Sequence, residues 1–231
     1  MSVLTVDDLS FELKSSSRRR TMQITVDRSG ELVLSAPPDV EEERLRAFVL
    51  EKRFWIYTKL AEKDRLQKAV PSKSFVDGEG FLYLGRSYRL RLVDEQDSPL
   101  RLHNGRFMLR RDLGATARTS FVQWYSGRAK LWLWEKAQDY VARMEVQPVG
   151  VKVQDLGYRW GSCGKGDWLY FHWKTILLPS RIAEYVLVHE LAHLHQPHHT
   201  PEFWQRVERA LPDFERRKIW LAEHGMDVEG I

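Results

Sequence analysis

Cysteine occurs once in this chain of 231 residues, at Cys163, so no intrachain disulfide can brace the fold, in keeping with a reducing cytoplasm. Long apolar runs are missing too: no stretch of about 18 apolar residues is available to span a bilayer, and no membrane role is expected. A secretory leader needs a basic start and a continuous apolar core, whereas the opening MSVLTVDDLSFELK has two aspartates. Nor does one sign of charge prevail. Lys and Arg total 36 against 32 Asp and Glu, a net +4 that tolerates a polyanionic partner without demanding one. Internal repeats and low-complexity linkers are absent. These absences leave a cytoplasmic globular protein, and 43% hydrophobic with 29% charged residues can bury a substantial core.

What is present begins with strands. Gln23-Ile24-Thr25-Val26 and Glu31-Leu32-Val33-Leu34 alternate around Asp27-Arg28-Ser29-Gly30, a hairpin pattern stopped by Pro37-Pro38. Asp39 and Glu42 have the spacing of a capping box, and Leu45, Phe48, Val49, Ile56 and Leu60 follow at helical intervals, predicting a helix from about residue 40 past residue 60. Period-two alternation returns over residues 75–93 and 100–110, the second pair turning at Asn104-Gly105. Residues 115–144 contain no proline and space Phe121, Trp124, Tyr125, Trp132 and Tyr140 on one helical face, with Ser126-Gly127 weakening the middle. Short strands are expected near residues 149–154 and 169–173. Helices are expected over about 181–194 with Ser180 as N-cap, 201–210, and 213–224 closed by Gly225. The nine tryptophans, among them Trp55, Trp132, Trp204 and Trp220, read as packing residues.

Histidine is the unusual enrichment. Five of the eight (His189, His193, His195, His198 and His199) lie in VHELAHLHQPHHTPEFW. On a helix, Ile182, Val186, His189 and His193 share one face, while Leu187, Leu191 and Leu194 form a second apolar stripe, so the helix should be buried. Imidazoles facing an interior need partners, and His189-Glu190-Leu191-Ala192-His193 is the H-E-x-x-H spacing that offers two nitrogens to a tetrahedral zinc. Glu190, turned about 100° from His189, lies beside such a metal, where it can take a proton from water whose pKa zinc lowers to about 7. A catalytic zinc needs a third protein ligand and an open position. Pro197 forces a bend, after which His198 or His199 can return to the metal; His195, about 200° around from His193, points away. Imidazole ligands also accept other divalent transition metals.

Several of these segments together resemble the YgjP-like metallopeptidases, the domain of unknown function 45 family, distant relatives of the SprT and Wss1 proteases. The resemblance rests on Tyr158-Arg159-Trp160-Gly161-Ser162-Cys163, residues 173–179, the histidine motif and His199-Thr200-Pro201-Glu202-Phe203-Trp204, and extends to Ser17-Arg18-Arg19-Arg20-Thr21. It implies that His199 is the third ligand, with His198 a neighbour. Two departures stand out: His172 where asparagine is expected, so that a cleft-facing imidazole could meet a developing oxyanion, and Gly164 where serine is usual.

The expected fold is α+β: N-terminal β-hairpins plus one helix (1–114) packed on a C-terminal zincin-like helical lobe (115–231) with the H-E-x-x-H active-site helix, together one YgjP-like domain of about 17–225. The expected function is a zinc-dependent metallopeptidase acting on a peptide or protein, with metal ligands His189, His193 and His199, Glu190 as general base, and Glu202 as a candidate for orienting a ligand. Two rivals are a nucleotide pyrophosphohydrolase, if Arg18, Arg19, Arg20 or Arg159 face the metal, and a DNA-associated or restriction-system accessory protein with a structural metal. Cys163 reads as structural, and the three arginines as a solvated strand edge.

Overall fold

The computed structural model describes residues 2–27, 30–66, 72–157 and 159–231. The chain forms two compact units, Met1–Ala69 and Val70–Ile231. A division at 114/115 would instead cut through the second unit, where strands before residue 111 and the long helix after it share one aromatic core: Phe81 stacks on Phe121 at 4.2 Å and Phe107 meets Tyr125 at 6.0 Å.

The first unit has a four-stranded sheet, β1 (Ser2–Val6), β2 (Leu9–Ser15), β3 (Gln23–Val26) and β4 (Leu32–Ala36), in the order β1-β2-β4-β3, followed by α1 (Glu42–Leu66). β1 and β2 were not expected from the sequence. Their alternation is real, with Leu4, Val6, Leu9 and Phe11 buried, but the turn lacks glycine and is made by Asp7 at φ 53°. The tip of the expected β3–β4 hairpin, Arg28 and Ser29, lies outside the described residues, although the Asp27 carboxylate accepts the Glu31 N–H at 2.7 Å. The capping box does not start α1: the Glu41 carbonyl accepts the N–H groups of Arg44 and Leu45. Leu45, Val49 and Ile56 form the buried stripe, whereas Trp55 is 42% exposed and is not a core residue.

In the second unit β5 (Gly80–Tyr83), β6 (Arg86–Val93), β7 (Leu100–His103) and β8 (Arg106–Arg110) form a sheet in the order β5-β6-β8-β7. Both hairpin turns, Leu84-Gly85 and Asn104-Gly105, have positive φ at each central residue, the turn that suits twisted strands. Gly85 also permits a close approach, since a Cβ there would lie 2.7 Å from Pro179 Cα, and the Leu84 and Gly85 N–H groups bond the Ile176 and Leu177 carbonyls. This hairpin tip therefore braces the entry to the histidine-bearing helix.

That helix lies beyond α2 (Ala117–Met144), which buries Phe121, Tyr125, Ala129, Leu133, Ala137 and Tyr140 on one face, Ser126-Gly127 notwithstanding. A three-stranded sheet follows, from β9 (Gly150–Gln154), β10 (Gly161–Cys163) and β11 (Trp168–His172), ordered β10-β11-β9. β10 was not expected: its three residues are too few to display a period. The remaining helices are α3 (Ser180–Ala192), α4 (Pro201–Ala210) and α5 (Phe214–His224). Ser180 is the first residue of α3 rather than its cap, for the Pro179 carbonyl accepts the Ile182 and Ala183 N–H groups. Among the described residues no helix is long and apolar enough to cross a membrane.

Candidate metal centre

α3 runs through the core, with Ile182, Val186, Leu187, Val188 and Leu191 all at most 3% exposed. His189 lies in its last turn, and His193 occupies the C-cap position at φ −66°, ψ −18°, which keeps both imidazoles on one face although the regular helix stops at Ala192. Beyond Pro197, Thr200 caps α4: its hydroxyl accepts the Phe203 N–H at 3.4 Å, and Pro201 occupies the first turn. The bend and the cap return His199 to the other two. One ligand atom from each of His189, His193 and His199 lies within 4.8 Å of the rest, and the Nε2 atoms of His189 and His199 are 2.9 Å apart.

Phe203 is the floor of this cluster. Its buried ring lies 4.9, 4.6 and 4.8 Å from the centroids of His189, His193 and His199. His199, the one that comes after the Pro197 bend, stacks on Trp204 at 5.6 Å and 22°, and Trp204 stacks in turn on Phe214 at 5.6 Å. The donor set suits a metal. His193 Nδ1 is 2.9 Å from the Gln196 carbonyl, so Nδ1–H donates and Nε2 keeps its lone pair for a ligand. His189 Nδ1 is buried with no hydrogen-bond partner among the described residues. Burial, then the neighbouring His193 and His199, brings the His189 pKa down to about 3, and burial lowers His199 as well, so both offer neutral nitrogens at pH 7.

Glu190 is 6% exposed and wedged between α3 and β10. A Cβ on Gly161 would lie 2.6 Å from its Cγ and 2.7 Å from its Oε1, so the absent side chain is what admits the carboxyl group. The Cys163 backbone N–H bonds this carboxyl; burial outweighs that bond and the nearby Arg159, and pushes the pKa up to about 8. A cleft of about 770 Å³ opens here, lined by Arg159, Trp160, Lys165, Tyr185, Pro197 and Leu221 as well as the histidines and Glu190. Burial, with the Glu190 charge second, raises the Tyr185 hydroxyl to about 12.

The other candidates lie elsewhere or act differently. His195 turns away, its Nε2 meeting the Met144 and Glu145 carbonyls at 3.2 and 3.0 Å, where it caps α2. His198 is exposed and outside the three-imidazole group. His172 does not face the cleft: it is 3% exposed, its Nδ1 accepts the Lys174 N–H, and its Nε2 lies 3.3 Å from Asp155. Glu202 bonds the Thr200 side chain rather than a histidine. Gly164 has a packing reason, because a Cβ there would meet Tyr170 Cε2 at 2.4 Å. The half-buried Cys163 thiol has a raised pKa, from burial first and then Glu190 and Asp167, and so is a poor nucleophile. Arg159 lines the cleft, whereas Arg18, Arg19 and Arg20 belong to the first unit, where Arg19 bonds the Gln23 side chain at 2.8 Å. Sequence reasoning missed the parts played by Gly161, Tyr185, Gln196 and Phe203; all but Tyr185 stood in quoted motifs, where the histidines drew the attention.

No curated protein and no solved structure matches the chain. The family model described as YgjP-like, metallopeptidase domain, matches residues 20–224, a span that includes every side chain of the centre. By that match the chain belongs to the YgjP-like family of metallopeptidase domains.

Proposed function

We propose that His189, His193 and His199 hold a zinc ion and that the protein hydrolyses peptide bonds with Glu190 as general base. Membership of the family makes the chain a metal-dependent hydrolase of the peptidase kind. The observation that carries the finer reading is the gathering of three imidazoles within 4.8 Å on the wall of a cleft that also holds Glu190. When bound, zinc supplies Lewis acidity that polarises a carbonyl and brings its water's pKa to about 7. Glu190, held by the Cys163 N–H, accepts the proton of the attacking water and returns it to the leaving amine. Tyr185 keeps its proton up to about 12 and can donate a hydrogen bond to charge developing on the substrate oxygen.

Metal content and peptide hydrolysis, measured together on wild type and Glu190→Gln, test this reading. The expected outcome is one zinc retained and turnover reduced about 10²–10⁴-fold. Unchanged turnover in the variant would remove the general-base role. A second reading has one observation in its favour: Arg159 and Lys165 line the same cleft and could receive a phosphoanhydride. Phosphate release from nucleoside triphosphates that exceeds casein cleavage, and that falls in Arg159→Gln, would favour it over the peptidase. In the accessory-protein reading the metal is purely structural, a role that the open cleft beside it disfavours.

A further inference from the structure

The sheet formed by β5 to β8 has a charge pattern that the hydrolase reading does not use. Its strands contain six arginines (Arg86, Arg89, Arg91, Arg101, Arg106 and Arg110) and no aspartate or glutamate. Leu90, Leu100, Phe107 and Leu109 turn one face of the sheet into the core. The register places Arg89, Arg106 and His103 in one row across the other face, and Arg91, Met108 and Arg101 in the next. Arg89, Arg91, Arg101, His103 and Arg106 are all exposed there.

Arg89 lies directly opposite Arg106 on the neighbouring strand, a like-charge pairing that works against the sheet. The fold offsets little of it. Arg89 donates to the Gly78 carbonyl, and Arg91, Arg101 and Arg106 have no ion pair or side-chain hydrogen bond among the described residues. Three nearby acids are engaged at the margins: Asp77 accepts the Leu92 N–H, Asp94 pairs with Arg111, and Asp112 pairs with Arg110, while Glu95 and Asp97 lie on the β6–β7 loop outside the two rows. Arg89, Arg91, Arg106 and Arg111 also line a concavity of about 700 Å³, together with Asp77.

The geometry points to this arginine face as a docking surface for the phosphate backbone of duplex DNA. Guanidinium groups match phosphate by paired hydrogen bonds, and rows of alternate strand residues repeat at about 7 Å, so neighbouring arginines meet successive charges of a regular polyanion. The face offers no stacking platform for unpaired bases, because Phe81 and Phe107 are fully buried and Tyr88 packs edge-on to Phe107 at 6.0 Å. Contact is therefore with backbone and independent of sequence.

The test is fluorescence anisotropy of a labelled mixed-sequence DNA duplex titrated with the full chain, across about 50–200 mM salt. Wild type should bind with a salt slope that Arg91→Gln, Arg101→Gln and Arg106→Gln combined lower by about 2.7, with affinity at the lowest salt falling about tenfold or more. A charge-matched variant at exposed positions elsewhere (Lys130→Gln, Arg209→Gln and Arg216→Gln) should bind like wild type. Metal content and melting temperature should be the same in all three proteins, so that loss of binding reports the surface and not the fold. The inference is overturned if wild type does not bind at the lowest salt, if both triple variants lose affinity equally, or if polyglutamate binds the arginine face as tightly as the duplex.

Discussion

At Glu190 burial and charge act in opposite directions. In the metal-free protein the carboxyl pKa of about 8 means that it is largely protonated at neutral pH, and a divalent cation at the adjacent imidazoles would favour the carboxylate. Two raised or lowered groups then give a pH dependence of stability with a definite sign. His189 is neutral in the folded state down to about 3 while the unfolded residue takes up a proton below about 6.5, so its contribution is lost as pH falls through that window. Glu190 keeps its proton up to about 8 while the unfolded residue releases it near 4.5, so its contribution is lost as pH rises through that window. Between 4.5 and 6.5 the two slopes oppose, and between 6.5 and 8 only the Glu190 loss remains. Urea midpoints in chelator should therefore fall from pH 6.5 to 8 in wild type, by at most about 1.4 kcal/mol per pH unit, relative to those of Glu190→Gln. A wild-type curve that runs parallel to that of the variant would refute the assignment.

At the scale of elements, the centre depends on how α3, α4 and β10 meet. α4 contributes no ligand, yet its Phe203 lies under all three imidazoles and its Trp204 stacks on His199. Trp204→Ala should lower zinc affinity about 10–100-fold in competition with a chromophoric chelator, and Trp204→Phe should recover most of it. Equal loss in both would mean that stacking is not what holds His199. β10 acts on the other partner. Gly161→Ala should leave zinc content unchanged and reduce turnover about 10²-fold, because a methyl group 2.6 Å from Glu190 Cγ displaces the carboxyl from its bond to the Cys163 N–H. Turnover equal to wild type would show that Glu190 does not depend on that wall.

For the whole molecule, every residue of the proposed centre lies in the unit Val70–Ile231, which has its own continuous core. The first unit has a separate cluster, from Leu4 to Ile56. A fragment of residues 70–231 is accordingly expected to fold and bind one zinc with affinity within a few-fold of the full chain, as read by metal analysis and thermal unfolding with and without chelator. A fragment that binds no metal would show that the centre depends on residues 1–69. The arginine face belongs to the same unit, so the fragment should retain DNA binding as well.

Local pattern was enough to identify the helices and the spacing of the histidines. An i, i+4 histidine pair on an apolar stripe remains a pair whether the regular helix ends at Ala192 or two residues later, and a proline stop followed by Thr200-Pro201 marks where the next helix begins. Resemblance, and not spacing, singled out His199 from His198. What surrounds these residues depended on parts of the chain distant in sequence. Gly161 approaches Glu190 from 29 positions away, and the hairpin tip at Gly85 braces Pro179 across 94. His172 looked like a cleft residue until the Lys174 N–H and Asp155 occupied both its nitrogens. A single sequence carries its periodicities and local stops in order, but closeness between remote segments exists only after the core has packed. The burial that raises Glu190 and lowers His189, and the opposition of Arg89 and Arg106, were therefore decided by the tertiary structure alone.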